Sequence, residues 1–351
     1  DVYKRQARES CGYNPLARIR LGDRGDAARV ANLLMTSSKK GRAGGDPFWD
    51  SSAETLLQIG IEILMTQKPK FRNLSNLRVL IDHWGNDAMN KLVVPLYDQQ
   101  RELYGAYKAS LEMPERLRGN VLASARAALK LTEDSDLALV TSYDTVGLEN
   151  LRQGDRPMII YIQSDILRQD YYSPITSLFM SDILRQLMGA APNQDDRPCF
   201  LYLDELSSFF YPWGPVISNA RKYNVSFVGV VQSEAQLHKM YGKEGATELL
   251  QNSGIKVYLH GQELETSERL ERVVGKHEIE KDNKVMIRPL MSSQQIRRLN
   301  PNLALVIATG LDPILMPLRP WWKTRFKRYA QLEALPISST LPWSKAPLLA
   351  L

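Results

Sequence analysis

Asp204 and Glu205 are the residues whose type and position could do chemistry. They close the run Cys199–Leu203, CFLYL, five apolar or aromatic residues that follow the helix-breaking Pro198. A short unbroken apolar run after a breaker reads as a strand buried on both faces. Open α/β sheets bind their ligands at the C-terminal ends of such strands. Two carboxylates there suit a magnesium-bound phosphate. The first would hold Mg2+, mostly through water, because the ion takes few protein carboxylates and keeps much of its hydration. The second would polarise a water for attack on a terminal phosphate. The plain structural alternative is a strand running into a helix, with Asp204 as the cap and Glu205 in the first turn.

Two further residues suit the same chemistry. Gln232 follows the apolar run Val225–Val231. An amide at a neighbouring strand end can sense a terminal phosphate or orient the water. Arg221 lies in the segment between the two runs. A guanidinium supplied across a subunit interface can stabilise charge on a phosphoryl group in transfer. The candidate catalytic set is therefore Glu205, Gln232 and Arg221, with Asp204 and Gln232 touching nucleotide and Asp204 holding the metal. Taken singly, Gln232 could cap the next helix and Arg221 could be a surface charge.

These residues need strands to carry them. Met158–Gln163 reads as a buried strand ending near Ser164-Asp165. Ser173–Met188 reads as a helix with Pro174 at its first position and Gly189 past its end. Val216–Tyr223 reads as helix and Val225–Val231 as buried strand. A helix to Asn252, a strand at Ile255–Leu259 and a helix Glu263–Val274 follow. Strands alternating with helices at this spacing argue for a parallel, doubly wound sheet. Lys284–Ile287 and Leu303–Thr309 read as strands around a helix Ser292–Leu299, and Ile314–Leu318 as an edge strand pairing back. Gln331–Leu351 is Pro-rich and aperiodic and reads as a tail.

Upstream the texture is helical. Asp26–Met35 has apolar residues at helical spacing. From Pro47 to about Thr145 no strand is convincing. Phe48–Met65 reads as a helix capped at Ser51/Ser52, and Leu74–His83, Asp87–Tyr107 and Met113–Leu131 follow, with Pro69, Pro95 and Pro114 as breaks or kinks. The basic, glycine-rich Ser37–Gly45 resembles a phosphate cradle only superficially. The phosphate loop G-x-x-x-x-G-K-[ST] occurs nowhere in the 351 residues.

Composition is ordinary for a globular chain, with 44% hydrophobic and 24% charged residues. A net charge of +6 admits an anionic partner without demonstrating one. Two cysteines imply no disulfide framework, and four dispersed histidines make no zinc pattern. No apolar run reaches the length of a membrane span. Arg319–Tyr329, RPWWKTRFKRY, interleaves five basic residues with four aromatics. It reads either as a surface that tracks phosphates and stacks bases or as an edge strand packing its rings, and the edge strand is the expectation.

The chain resembles the TraG-like coupling proteins of type IV secretion and conjugation, relatives of the HerA and FtsK DNA-pumping ATPases. The likeness runs from about Tyr13 to Phe326. It is carried by DPFWDSSAETLL (46–57), FLYLDEL (200–206), NARKYNVSFVGVVQSEAQLHKMYG (219–242), LLQNSGIKVYLHGQELETSERLERVVGK (249–276) and RPLMSSQQIRRL (288–299). It implies an α/β fold: a RecA-like P-loop NTPase core with a mostly parallel sheet, interrupted by an all-α domain. It places Asp204 and Glu205 on the Walker B pair, Gln232 on the sensor glutamine and Arg221 on the residue that reaches a neighbour's nucleotide. The domains would be 1–47, the start of the nucleotide-binding domain; 48–150, all-α; 151–330, the RecA-like part; and 331–351, a tail.

The implied function is a coupling ATPase using ATP and Mg2+ to move DNA or nucleoprotein. Its implied partners are conjugative single-stranded DNA, relaxosome or effector proteins, secretion-channel components and five copies of itself in a hexamer, on the cytoplasmic face of the inner membrane. Two departures stand out: the Walker A loop and the N-terminal membrane helices are absent. Both would precede Tyr13, so an N-terminally truncated fragment, inactive alone, is expected. Two alternatives compete, a non-hydrolysing substrate-recruitment module and a cytosolic HerA- or FtsK-type translocase. The helical stretch argues against the second.

Overall fold

The computed structural model describes residues 11–38, 47–153, 157–162, 169–208, 211–281, 284–332 and 344–351. The first helix, α1 (Arg24–Ser37), is capped by the Asp23 carboxylate, which accepts from the Asp26 amide. The helical block follows as α2 (Pro47–Met65), α3 (Leu74–Asp82), α4 (Asp87–Val93), α5 (Leu96–Gln99), α6 (Arg101–Leu111), α7 (Glu115–Ala128) and α8 (Ser135–Val140). Helix α2 is the hub. Leu56, Leu57, Ile61, Ile63 and Leu64 are all fully buried, so apolar residues cover most of its circumference. Gly60 lets α3 come close, because a Cβ there would stand 2.7 Å from Leu77 Cδ1. The expected cap at Ser51/Ser52 is corrected. The helix begins at Pro47, a residue type suited to a first helical position, and both serines fall inside it. The glycine-rich Ser37–Gly45 lies outside the described residues from Lys39 on.

The segment before α1 is tied to the far end of the helical block. Tyr13 donates its amide to Val140 O at 2.8 Å, Thr145 donates to Gly12 O at 2.9 Å, and Asn14 Nδ2 reaches Arg72 O at 2.7 Å. One apolar cluster then runs from Tyr13 through α1, α2, α3 and α7 to Leu178, Phe179 and Leu187, and on to Ala220 and Val225. The helical block and the strand-bearing part therefore share a core.

The helix α9 (Gln169–Met188) starts earlier than expected and carries Pro174 inside rather than at its first position. Tyr171 accounts for the extra turn. Its hydroxyl donates to Lys130 O at 3.1 Å, and its ring packs on the main core. Residues 158–162 form no strand, and the expected end at Ser164-Asp165 lies outside the described residues. Among the described residues nothing pairs with this run, and Ile159 and Tyr161 stand exposed.

Strands β1 (Cys199–Leu203) and β2 (Val225–Gly229) pair in parallel, Leu203 opposite Gly229. This is the parallel pairing among the described residues. Between the two lie α10 (Trp213–Ala220) and a 3-10 turn at Arg221–Tyr223, which ends on Asn224 in the left-handed region, φ 54°. Helix α11 (Glu234–Asn252) kinks at Gly242, φ 71°. Strand β3 (Ile255–Tyr258) was expected in the parallel sheet. It pairs antiparallel with β6 (Leu303–Ala308) instead, and lies outside the β1–β2 ladder. Helix α12 (Leu264–Val274) stops at Gly275, and β4 (Lys276–Lys281) and β5 (Lys284–Pro289) form a hairpin. Helix α13 (Ser293–Arg297) is closed by a Ser292/Gln295 capping box. Strand β6 (Leu303–Ala308) also takes β7 (Ile314–Pro317) on its other edge, as expected.

The Arg319–Tyr329 segment is corrected. It forms two 3-10 stretches, Trp321–Lys323 and Arg325–Gln331, in place of an edge strand. Trp321, Trp322, Phe326 and Tyr329 are each about half exposed. No helix among the described residues is long and apolar enough to cross a membrane.

Candidate active site

The parallel ladder continues past the strands proper. Val230 donates its amide to Leu203 O at 2.8 Å, and Leu206 donates to Val230 O at 2.9 Å. This locks the segment after β1 to the segment after β2, and so brings Asp204-Glu205 beside Val231-Gln232. Gln232 Nε2 donates to Glu205 Oε2 at 3.1 Å. Ser207 donates its hydroxyl to the other carboxylate oxygen, Oε1. Glu205 is therefore gripped at both oxygens. The Gln232 backbone N–H donates to Gln236 Oε1 at 3.0 Å, which ties the strand end to the first turn of α11. Sequence reading missed Ser207 and Gln236; the spacing 205/207 and 232/236 was the available signal.

Asp204 stands exposed on the other side of β1 from Leu203. It shares that side with Phe200 and Tyr202, which are 57% and 70% exposed and stack on each other at 6.4 Å. The expectation that β1 is buried on both faces is thus corrected. Cys199, Leu201 and Leu203 face the core, and the other side has no cover among the described residues. Trp213 is fully buried, 4.8 Å from the Tyr211 ring and 5.1 Å from Phe227, and fills the core under β2.

Arg221 is not part of this cluster. It is exposed and precedes β2, while Gln232 follows it. Five strand residues at about 3.3 Å each put it roughly 17 Å from the carboxylates, at the opposite end of the pair. That end is fastened by Arg152, a buried residue that sequence reading did not single out. Its guanidinium donates to Leu187 O at the end of α9, to Tyr223 O before β2, and to Arg197 O before β1. Carbonyls at a helix C-terminus suit a cation.

No group of three or more metal-binding side chains exists among the described residues. Mg2+ needs only one or two protein carboxylates beside phosphate oxygens and water. Exposed Asp204 fits such a role, with Glu205 and Gln232 beside it for a water. The phosphate-cradling loop is not in this sequence.

A helical block beside a parallel strand pair bearing two acids makes this an α/β protein. The chain belongs to the family described as type IV secretory system conjugative DNA transfer, whose model matches residues 4–340. It is 22% identical over 348 residues to the protein VirD4 of Agrobacterium fabrum, covering 91% of this chain and 50% of that one. It is 24% identical over 218 residues to a conjugal transfer protein TraG of Escherichia coli, covering 55% and 32%. The chain spans about half the length of the VirD4 relatives it matches. Among solved structures it is similar to the plasmid coupling protein TrwB in complex with the ATP analogue ADPNP, with a TM-score of 0.67 at 21% identity over 88% of this chain and 71% of that one. The same protein with ADP and Mg2+ gives a TM-score of 0.66 at 20% identity.

Proposed function

We propose that the complete protein is the coupling ATPase of a type IV secretion or conjugation system, recruiting DNA or nucleoprotein and driving it into the channel. The observation that carries this reading is the contact of Gln232 with Glu205 at the ends of two paired parallel strands. In this role Asp204 would hold Mg2+ through water, Glu205 would accept the proton of the attacking water, and Gln232 would keep the Glu205 carboxylate in place. Bound ATP supplies the scissile phosphate bond; Mg2+ shields its charge. TrwB, of similar fold, has been seen with ADP and Mg2+ and with ADPNP, which supports these ligands here.

The working unit is a homo-hexamer on the cytoplasmic face of the inner membrane. In it residues 1–47 and 151–330 make the nucleotide-binding domain, and residues 48–150 the domain that meets relaxosome or effector proteins and channel components. Single-stranded DNA meets the basic-aromatic segment Arg319–Tyr329, whose rings are each about half exposed.

The test is ATP hydrolysis by the full-length gene product, with and without single-stranded DNA. Glu205→Gln is expected to lower kcat by about 100-fold or more, the usual worth of a general base. An unchanged rate would remove Glu205 from the chemistry. A second reading, a non-hydrolysing recruitment module, requires that the full-length protein bind its substrates yet hydrolyse no ATP.

A further inference from the structure

Residues 344–351 lie far from the nucleotide site, and their backbone is held in an unusual way. Asn76, in the first turn of α3, is fully buried. Its side-chain amide donates to Pro347 O at 2.9 Å and to Phe71 O at 2.8 Å, while its oxygen accepts the Leu349 amide at 2.7 Å. Asn73, also fully buried, caps α3 through its oxygen and turns its Nδ2 to Pro347 O at 3.3 Å. The carbonyl of one residue and the amide two residues on lie along one edge of an extended chain. One carboxamide thus reads that edge as a neighbouring strand would.

The side chains agree with this geometry. Pro347, Leu349 and Leu351 are half-buried, whereas Leu348 and Ala350 are exposed. Leu349 and Leu351 pack on the main core cluster. Backbone hydrogen bonds combined with alternate buried side chains are how folded domains take up extended peptides: the first supply affinity, the second selectivity. With the seat empty, the Asn76 amide keeps Phe71 O and the Asn73 amide keeps Lys70 O, while water takes the place of the Leu349 amide on the Asn76 oxygen.

We propose that the start of α3, built on Asn73 and Asn76, is a peptide-binding seat for an extended apolar segment. Residues 347–351 of this chain occupy it in cis and compete with a protein partner's segment of the same pattern. The ligand class follows from the contacts. It has apolar side chains at alternate positions and a free amide at the second of them, so proline is excluded where Leu349 stands. This inference does not depend on the nucleotide chemistry.

The probe is a fluorescein-labelled peptide of residues 344–351, SKAPLLAL, read by fluorescence anisotropy. It is titrated into the whole chain and into the L349D/L351D variant, whose own segment is driven out by two charges. The variant is expected to bind the peptide at least tenfold more tightly than the wild type, because the tethered segment no longer competes. A peptide N-methylated at the Leu349 amide is expected to lose about tenfold in affinity, one buried hydrogen bond. That arm alters no protein residue, so misfolding cannot mimic it. Absence of binding to the variant, or equal binding of the methylated peptide, would overturn the proposal. So would a dimer of the wild-type chain that L349D/L351D dissolves, because the occupant would then come from a second copy.

Discussion

Glu205 and Asp182 are two carboxylates with opposite duties. Glu205 is only half-buried and is held at both oxygens by neutral donors, Gln232 and Ser207, which position it. Asp182 is almost fully buried and does structural work. It accepts from Tyr13 Oη at 2.7 Å and from Arg29 Nη2 at 2.9 Å, while Arg29 Nη1 donates to Ser181 at 2.8 Å. Burial, with the Asp182 charge beside it, holds the Tyr13 hydroxyl well above its ordinary pKa, so it stays a donor. Asp182→Ala would leave a mostly buried guanidinium and a buried phenol without their acceptor. A loss of about 3 kcal/mol is expected, at the low end for a broken buried pair because Arg29 keeps its ion pair with Asp26 at 3.3 Å. That corresponds to a Tm lower by roughly 4 °C in a chain of this size. A thermal melt within about one degree of wild type would show that the network contributes nothing. None of these partners was legible in the sequence, since Tyr13, Arg29 and Asp182 are joined only by the fold.

Among the elements, those whose local signals agree with their packing were legible. The apolar runs at β1 and β2, the capping serine of α13 and the stop at Gly275 stand where the residues put them. The misreadings share a cause: the tertiary neighbour was invisible. Cys199–Leu203 is apolar throughout, which reads as burial on both faces, yet only one face is covered by described residues. Strand β4, KHEIEK, is mostly charged and carries no strand signal of its own; it is stabilised by pairing with β5. Segment Arg319–Tyr329 has the composition of a packed edge strand, yet it joins no ladder among the described residues and turns in two 3-10 stretches. Its rings are left to solvent, with Arg325 over Phe326 at 5.3 Å and Arg328 over Tyr329 at 4.9 Å. In the full-length protein W321A/W322A is expected to weaken binding of single-stranded DNA by about 1–3 kcal/mol per lost base stack with little change in the salt slope. Arg325→Ala/Arg328→Ala is expected to flatten that slope, since each cation releases about one counterion. Titrations of labelled oligonucleotide at several salt concentrations separate the two. Identical binding by all three proteins would take this segment out of the DNA contact.

At the scale of the molecule, the separation of Arg221 from Glu205 is the informative distance. The two lie at opposite ends of the β1–β2 pair, roughly 17 Å apart along the strand. Arg152 pins the Arg221 end to α9, so the guanidinium cannot swing to its own chain's carboxylates without undoing buried bonds to backbone carbonyls. If Arg221 takes part in phosphoryl transfer, it must do so on a neighbour. A head-to-tail ring satisfies this at every interface, because each subunit presents one end of the strand pair to the next. The reading makes a quantitative demand. Arg221→Ala and Glu205→Gln subunits of the full-length protein should each be nearly inactive in homogeneous rings. Mixed one to one, about a quarter of interfaces join an intact Glu205 to an intact Arg221, and about a quarter of wild-type ATPase activity should return if sites fire independently. Activity that stays at the level of the separate variants, in rings shown by native mass spectrometry to be mixed, would place both residues in one subunit's chemistry and contradict the geometry of the strand pair.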